Sequence, residues 1–102
     1  MSENLLNLVN TIRDRKNKDE DKSYTSSLLL SGGLSKCIDK MEEEFSELKE
    51  ALNDKSNIVH EAADTIYHIL VTLEAADIKF EDVLKELEDR KKQSGIEEKN
   101  NR

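Results

Sequence analysis

An apolar spacing of three to four residues runs through most of this chain, in a sequence with no proline and only three glycines, Gly32, Gly33 and Gly95. Proline and glycine are the residues that interrupt helices, and the Asn-Gly or Asp-Gly pairs that close β-hairpins do not occur. The chain is therefore expected to be all-α, with four to five helices packed as an antiparallel bundle.

The periodic segments can be followed in order. Leu5, Leu6, Val9 and Ile12 give a short amphipathic first helix that leads into Arg13–Lys22, a stretch with no apolar residue and so expected to be a solvated loop. Ser23-Tyr24-Thr25 offers a cap before Leu28, Leu29 and Leu30, a second helical unit that Ser31-Gly32-Gly33 would end. Leu34, Ile38, Met41, Phe45, Leu48 and Leu52 then hold helical register up to Asn53-Asp54. Ser56 is the expected N-cap of the next helix, whose series Val59, Ala62, Ala63, Ile66, Ile69, Leu70 and Leu73 covers one broad face, with Val71 and Ala75 on the other side. Apolar character on more than one face marks a central helix. Phe80, Val83, Leu84 and Leu87 define a last helix ending among Arg90, Lys91 and Lys92. Residues 1–92 are thus read as one domain and 93–102 as a polar tail.

At 102 residues, 35% hydrophobic and 38% charged, the chain can build only a modest core, and burial of a helix stripe against a second copy would add to it. A homodimer is expected. The net charge of −7 argues against nucleic-acid binding, which needs clustered positive charge. One cysteine, Cys37, forms no intrachain disulfide. No apolar run approaches the ~20 residues of a membrane span, and Met1–Leu6 lacks the basic and apolar regions of a signal peptide, so a cytoplasmic location is expected.

The chemistry lies in two acidic groups. In Glu42-Glu43-Glu44-Phe45-Ser46-Glu47, Glu43 and Glu47 are four apart and Glu44 and Glu47 three apart, so each pair shares a helix face. Glu44 lies three after Met41 and four before Leu48, inside the apolar register, where a carboxylate must be paired, protonated or metal-bound. Fourteen residues after Glu47, Glu61 and Asp64 form a second acidic pair on a helix otherwise rich in Ala and Ile. An antiparallel hairpin would let both groups meet as up to five carboxylates, an all-oxygen site suited to Mg²⁺ or Mn²⁺. Bound cations would reverse the local charge and allow a polyphosphate to approach. On spacing alone, a solvated face with Lys40 pairing to Glu43 or Glu47 remains the competing reading. His68 reads as an interior hydrogen-bonded residue or a support to a ligand, and His60 as a surface residue.

The pattern Glu-Glu-x-x-Glu followed by Glu-x-x-Asp resembles the all-α nucleoside-triphosphate pyrophosphatases. Four further stretches are similar to the phosphoribosyl-ATP pyrophosphatase family: Arg15-Lys16-Asn17 with Ser23-Tyr24-Thr25; Glu61-Ala62-Ala63-Asp64 with Tyr67-His68; Phe80-Glu81-Asp82-Val83-Leu84 with Glu86-Leu87 and Arg90; and Ser94-Gly95-Ile96-Glu97-Glu98-Lys99. The resemblance implies Mg²⁺-dependent hydrolysis of phosphoribosyl-ATP to phosphoribosyl-AMP and pyrophosphate, in histidine biosynthesis, by a homodimer. It implies a metal and water-activating set of Glu43, Glu44, Glu47, Glu61 and Asp64, with Glu44 and Glu47 catalytic, and substrate contacts from Arg15, Lys16, Lys36 and Lys40. Glu42 stands where the family usually has glycine, so a bulky acid is expected beside the site. Two other readings fit the same residues: a house-cleaning pyrophosphatase for nucleoside triphosphates, and a non-catalytic helical interaction protein.

Overall fold

A computed structural model describes residues 2–16 and 33–91, which form four helices and no strand: α1 (Ser2–Arg15), α2 (Gly33–Asp54), α3 (Ile58–Ala75) and α4 (Phe80–Arg90). The helical unit expected around Leu28–Leu30 and the tail 93–102 lie outside the described residues.

The long pair α2 and α3 makes an antiparallel hairpin whose turn is built without glycine. Lys55 takes a left-handed φ of 57°, and the Ser56 N–H donates to the Ala51 carbonyl at 3.1 Å, the six-to-one bond that closes a helix C-terminus. The cap of α3 is Asn57, not Ser56 as the sequence suggested; it also sits left-handed, at φ 58°, and makes no side-chain capping bond. Asparagine tolerates that conformation at lower cost than most residues, which explains the shift by one. The same closure recurs at the far end of α3, where Asp77 (φ 59°) lets the Ile78 N–H reach the Leu73 carbonyl at 2.9 Å.

Two buried threonines lie against α2. The Thr65 hydroxyl lies 2.8 Å from the Glu61 carbonyl and 3.1 Å from the Glu44 carbonyl; that of Thr72 lies 2.7 Å from the His68 carbonyl and 3.2 Å from the Cys37 carbonyl. Each hydroxyl has one proton, shared between a carbonyl of its own helix and one across the interface. Spaced seven residues apart, they match the register of α3 to that of α2.

α3 is the central helix, as its two-sided apolar pattern predicts. Val71, only 1% exposed, meets Val9 and Ile12 of α1, Cys37 of α2, Leu70 and Phe80 of α4 in one cluster. Burying side chains of this size is worth roughly 1.5–3 kcal/mol each. The cluster takes its fully buried α3 residues from the C-terminal half of that helix, so the N-terminal half, from Ile58 to Ile66, is left outside it.

The charged stretch after Ile12 departs from expectation. α1 continues through Arg15, and two of its cations fold back onto the end of α3 and the start of α4. The Arg13 Nε donates to Glu74 at 3.1 Å, and its two terminal nitrogens donate to the two Glu81 oxygens at 3.1 and 2.7 Å. Lys16 Nζ donates to Asp77 at 2.6 Å and to the Glu74 carbonyl at 3.1 Å. A helix C-terminus and a two-carboxylate fork give these residues their partners.

The Arg13 guanidinium holds the Glu81 carboxyl down at about 2, against an ordinary 4.5. A depressed carboxylate contributes stability that is present above pH 4.5 and lost as the pH falls towards 2. In thermal unfolding, Glu81→Gln should therefore melt below wild type at pH 6, with the gap closing as the pH falls through that window. Arg13→Gln should melt lower still at pH 6, because it also strands Glu74, whose side chain is only 12% exposed.

A candidate metal centre on the α2–α3 hairpin

Because α2 and α3 run antiparallel, stepping one turn along α2 from Glu44 to Glu47 is stepping one turn back along α3 from Thr65 to Glu61. The Thr65 contact with the Glu44 carbonyl therefore sets the two acidic motifs opposite each other. Carboxylate oxygens of Glu44, Glu47 and Glu61 all lie within 4.8 Å of one another. On the outer side of Glu61, His60, Glu61 and Asp64 form a second group with the same mutual spacing; His60 Nε2 is 3.2 Å from Asp64 Oδ2 and 3.9 Å from Glu61 Oε1.

The first group is electrostatically unfavourable as it stands. Glu44 Oε2 and Glu61 Oε2 are buried without a hydrogen-bond partner. Desolvation raises both carboxyls above their usual range, and the neighbouring Glu47 raises them further. The buried His68 ring pulls Glu44 back in part. His68 Nδ1 lies 2.9 Å from the Asp64 carbonyl, which can only accept, so that nitrogen carries the proton. Tyr67 meets the same ring edge-on at 5.5 Å. Unpartnered carboxylate oxygens converging from two helices are the donor set a hard divalent cation takes. The residues present fit such an ion.

The other residues singled out from the sequence fall in different places. Glu43 is exposed and pairs with Lys40 at 3.3 Å, outside both groups. Glu42 is exposed as well, lining an open cleft with Asp39, Glu43 and Ser46 rather than crowding the acidic groups. Lys36 is exposed near the start of α2, and Arg15 is exposed at the end of α1. Lys16 is bonded at Glu74 and Asp77, so it lies beside residues ten and thirteen beyond Asp64, roughly 15–20 Å along the axis of α3. The structure thus gathers Glu44, Glu47 and Glu61, joins Asp64 to them through Glu61, and holds Lys16 at the far end of α3. His60 is a surface residue, as expected, 63% exposed; its contact with Asp64 was not anticipated, although the four-residue spacing was an available signal.

Comparison with known proteins gives consistent results. The profile of the family described as phosphoribosyl-ATP pyrophosphohydrolase matches residues 5–91. Proteins named phosphoribosyl-ATP pyrophosphatase resemble the chain along nearly its whole length. That of Paracoccus denitrificans is 43% identical over 97 residues, covering 93% of this chain and 89% of the relative. That of Ruegeria pomeroyi is 44% identical over 97 residues, covering 93% and 91%. That of Rhizobium etli is 40% identical over 100 residues, covering 96% and 92%.

A carboxyl raised in the folded state contributes stability below its unfolded value of 4.5, and that contribution is lost as the pH rises through the folded value. Metal-free protein at pH 7 therefore carries a penalty that neutralising Glu44 relieves. Glu44→Gln should raise the melting temperature of chelator-treated protein at pH 7, with the gain shrinking towards pH 4; calorimetry across that range checks it.

Proposed function

The chain belongs to the phosphoribosyl-ATP pyrophosphohydrolase family, and we propose that it hydrolyses phosphoribosyl-ATP to phosphoribosyl-AMP and pyrophosphate, the second step of histidine biosynthesis, in the cytoplasm. The observation that carries this reading is the pair of buried, unpartnered oxygens on Glu44 and Glu61, opposed across two helices at the motif positions. An acidic solubilising surface would not bury them.

Glu44, Glu47, Glu61 and Asp64 would hold Mg²⁺, with Mn²⁺ as an alternative, and Glu43 would join them by releasing Lys40. Such an ion supplies positive charge against the phosphate oxygens and makes nearby water more acidic. The hairpin's own contribution is position and proton transfer. Water attacks one phosphorus of the anhydride, the bridging oxygen leaves with the other phosphate, and a carboxylate takes the water's proton. Glu44 and Glu47 are assigned that role. Lys36 and Lys40 stand at helical spacing from Glu43 and Glu47, and are assigned to phosphate oxygens. Arg15 and Lys16 are assigned to the substrate's distal phosphoribosyl end, Lys16 exchanging its Asp77 contact on binding.

The active form is proposed to be a homodimer. Leu34, Ile38, Phe45 and Leu52 on α2 and Ile66 on α3 are exposed, and Val59 is 84% exposed. On α2 the series from Leu34 to Leu52 steps by four and three alternately, the seam spacing of helix-on-helix packing. A single copy leaves that stripe in water, and a second copy of the same stripe would cover it.

Pyrophosphate release is to be measured from phosphoribosyl-ATP against a panel of ordinary nucleoside triphosphates, with Mg²⁺ and with chelator. Selective, Mg²⁺-dependent release that falls by about 100-fold or more in Glu44→Gln is expected; turnover of ordinary triphosphates instead would move the chain to a house-cleaning role. Phe45→Asp should convert the species seen in sedimentation from dimer to monomer, and a wild-type protein already monomeric at micromolar concentration would overturn the dimer.

A further inference from the structure

Thr65 and Thr72 occupy equivalent settings on α3. Both are buried, 3% and 8% exposed, and each shares its hydroxyl proton between the carbonyl four residues back and a carbonyl of α2. Their acceptors differ. Thr72 bridges His68 and Cys37, neither of which carries a carboxylate. Thr65 bridges Glu61 and Glu44, the two residues whose Oε2 atoms are buried without a hydrogen-bond partner.

A buried hydroxyl carries a desolvation cost that a valine of similar shape would avoid. Its bond to the carbonyl four residues back adds nothing to a helix and slightly weakens it. What the Thr65 hydroxyl adds is therefore the contact across to α2. Both carbonyl oxygens lie within 3.1 Å of one atom, so the backbones carrying Glu44 and Glu61 cannot part without breaking that contact. A force acts to part them. Oxygens of Glu44, Glu47 and Glu61 converge within 4.8 Å, and like charges at that spacing repel, more so where water is partly excluded. The acceptors of Thr72 bear no such load.

We propose that Thr65 is a positioning residue for the hydrolytic site: its hydroxyl holds the Glu44 and Glu61 backbones at the spacing the reaction uses, whereas Thr72, in an equivalent setting, contributes to stability alone. Thr65 acts through the two glutamates, and the chemistry is sensitive to their placement, since a displacement of about 1 Å can cost ~100-fold in rate. The proposal rests on the hydrolytic reading above and adds to it the residue that sets the site's dimensions.

The test compares full-length wild type with Thr65→Val, Thr65→Ala, Thr65→Ser and Thr72→Val. In Mg²⁺-dependent pyrophosphate release, both Thr65 deletions should lower kcat by about tenfold or more while KM stays within about twofold. Thr65→Ser, which keeps the hydroxyl, should restore kcat, and Thr72→Val should melt lower than wild type with kcat unchanged. A second readout needs neither metal nor substrate. Glu44→Gln is added to each form, and melting is followed in chelator at pH 7. The rise in melting temperature that Glu44→Gln produces should shrink when the Thr65 hydroxyl is absent, because the carboxylates have already moved apart, and should persist in full beside Thr72→Val. Equal kcat losses at Thr65 and Thr72, a loss that Thr65→Ser does not restore, or a Glu44→Gln gain that is the same in every background would each overturn the positioning role. A wild type that releases no pyrophosphate overturns the hydrolytic reading instead, and the melting comparison still decides whether Thr65 sets the spacing.

Discussion

The packing of α2 against α3 is the constraint from which the rest of the molecule follows. The two helices are joined by a turn with two left-handed non-glycine residues and held in register by threonine hydroxyls that reach across to α2 carbonyls. These contacts are individually modest, since a neutral hydrogen bond nets about 1 kcal/mol. Their effect is geometric. A slip of α2 by one residue would turn Glu44 by about 100° around its axis and away from Glu61.

That register forces like charges together, and the molecule divides the consequences between its two ends. At the C-terminal end of α3, carboxylates meet cations: Glu74 and Glu81 meet Arg13, and Asp77 meets Lys16. At the N-terminal end, Glu44, Glu47 and Glu61 meet one another with no cation from the described residues within the group. The first end is tied down by α1 and α4, and the core cluster of Val9, Ile12, Val71 and Phe80 lies there. The second end is outside that cluster, and its unfavourable electrostatics are available to a divalent ion. The buried core cluster and the candidate metal centre thus lie at opposite ends of one helix.

Much of this was legible in the residues. The spacing from Leu34 to Leu52 and from Val59 to Leu73 gave two helices whose observed limits differ from it by one or two residues. The two-sided apolar pattern of α3 identified it as central, and Leu70 and Val71 share one buried cluster with residues of α1, α2 and α4. Glu44, lying in an apolar register, could be picked out as a carboxylate requiring a partner. Arg13 and Lys16 could not be placed, since a stretch without apolar residues gives no periodicity and ionic partners 61 to 68 residues away leave no local trace. Glu43 looked equivalent to Glu44 on paper, but one step around the helix is about 100°, which moves it from the hairpin interface into solvent beside Lys40.

By itself, then, the sequence determined the class of structure, the helices, the central place of α3 and the identity of the acidic motifs, because all of these depend on local propensity and on periodicity along one helix. Only the tertiary structure decided which carboxylates come together, that Glu61 belongs to both groups of ligand atoms, and that the basic end of α1 is tied to the far end of α3. Those facts depend on the relative register of separate helices. That register is set by the sum of many weak contacts between residues distant in the chain, and no local pattern encodes it.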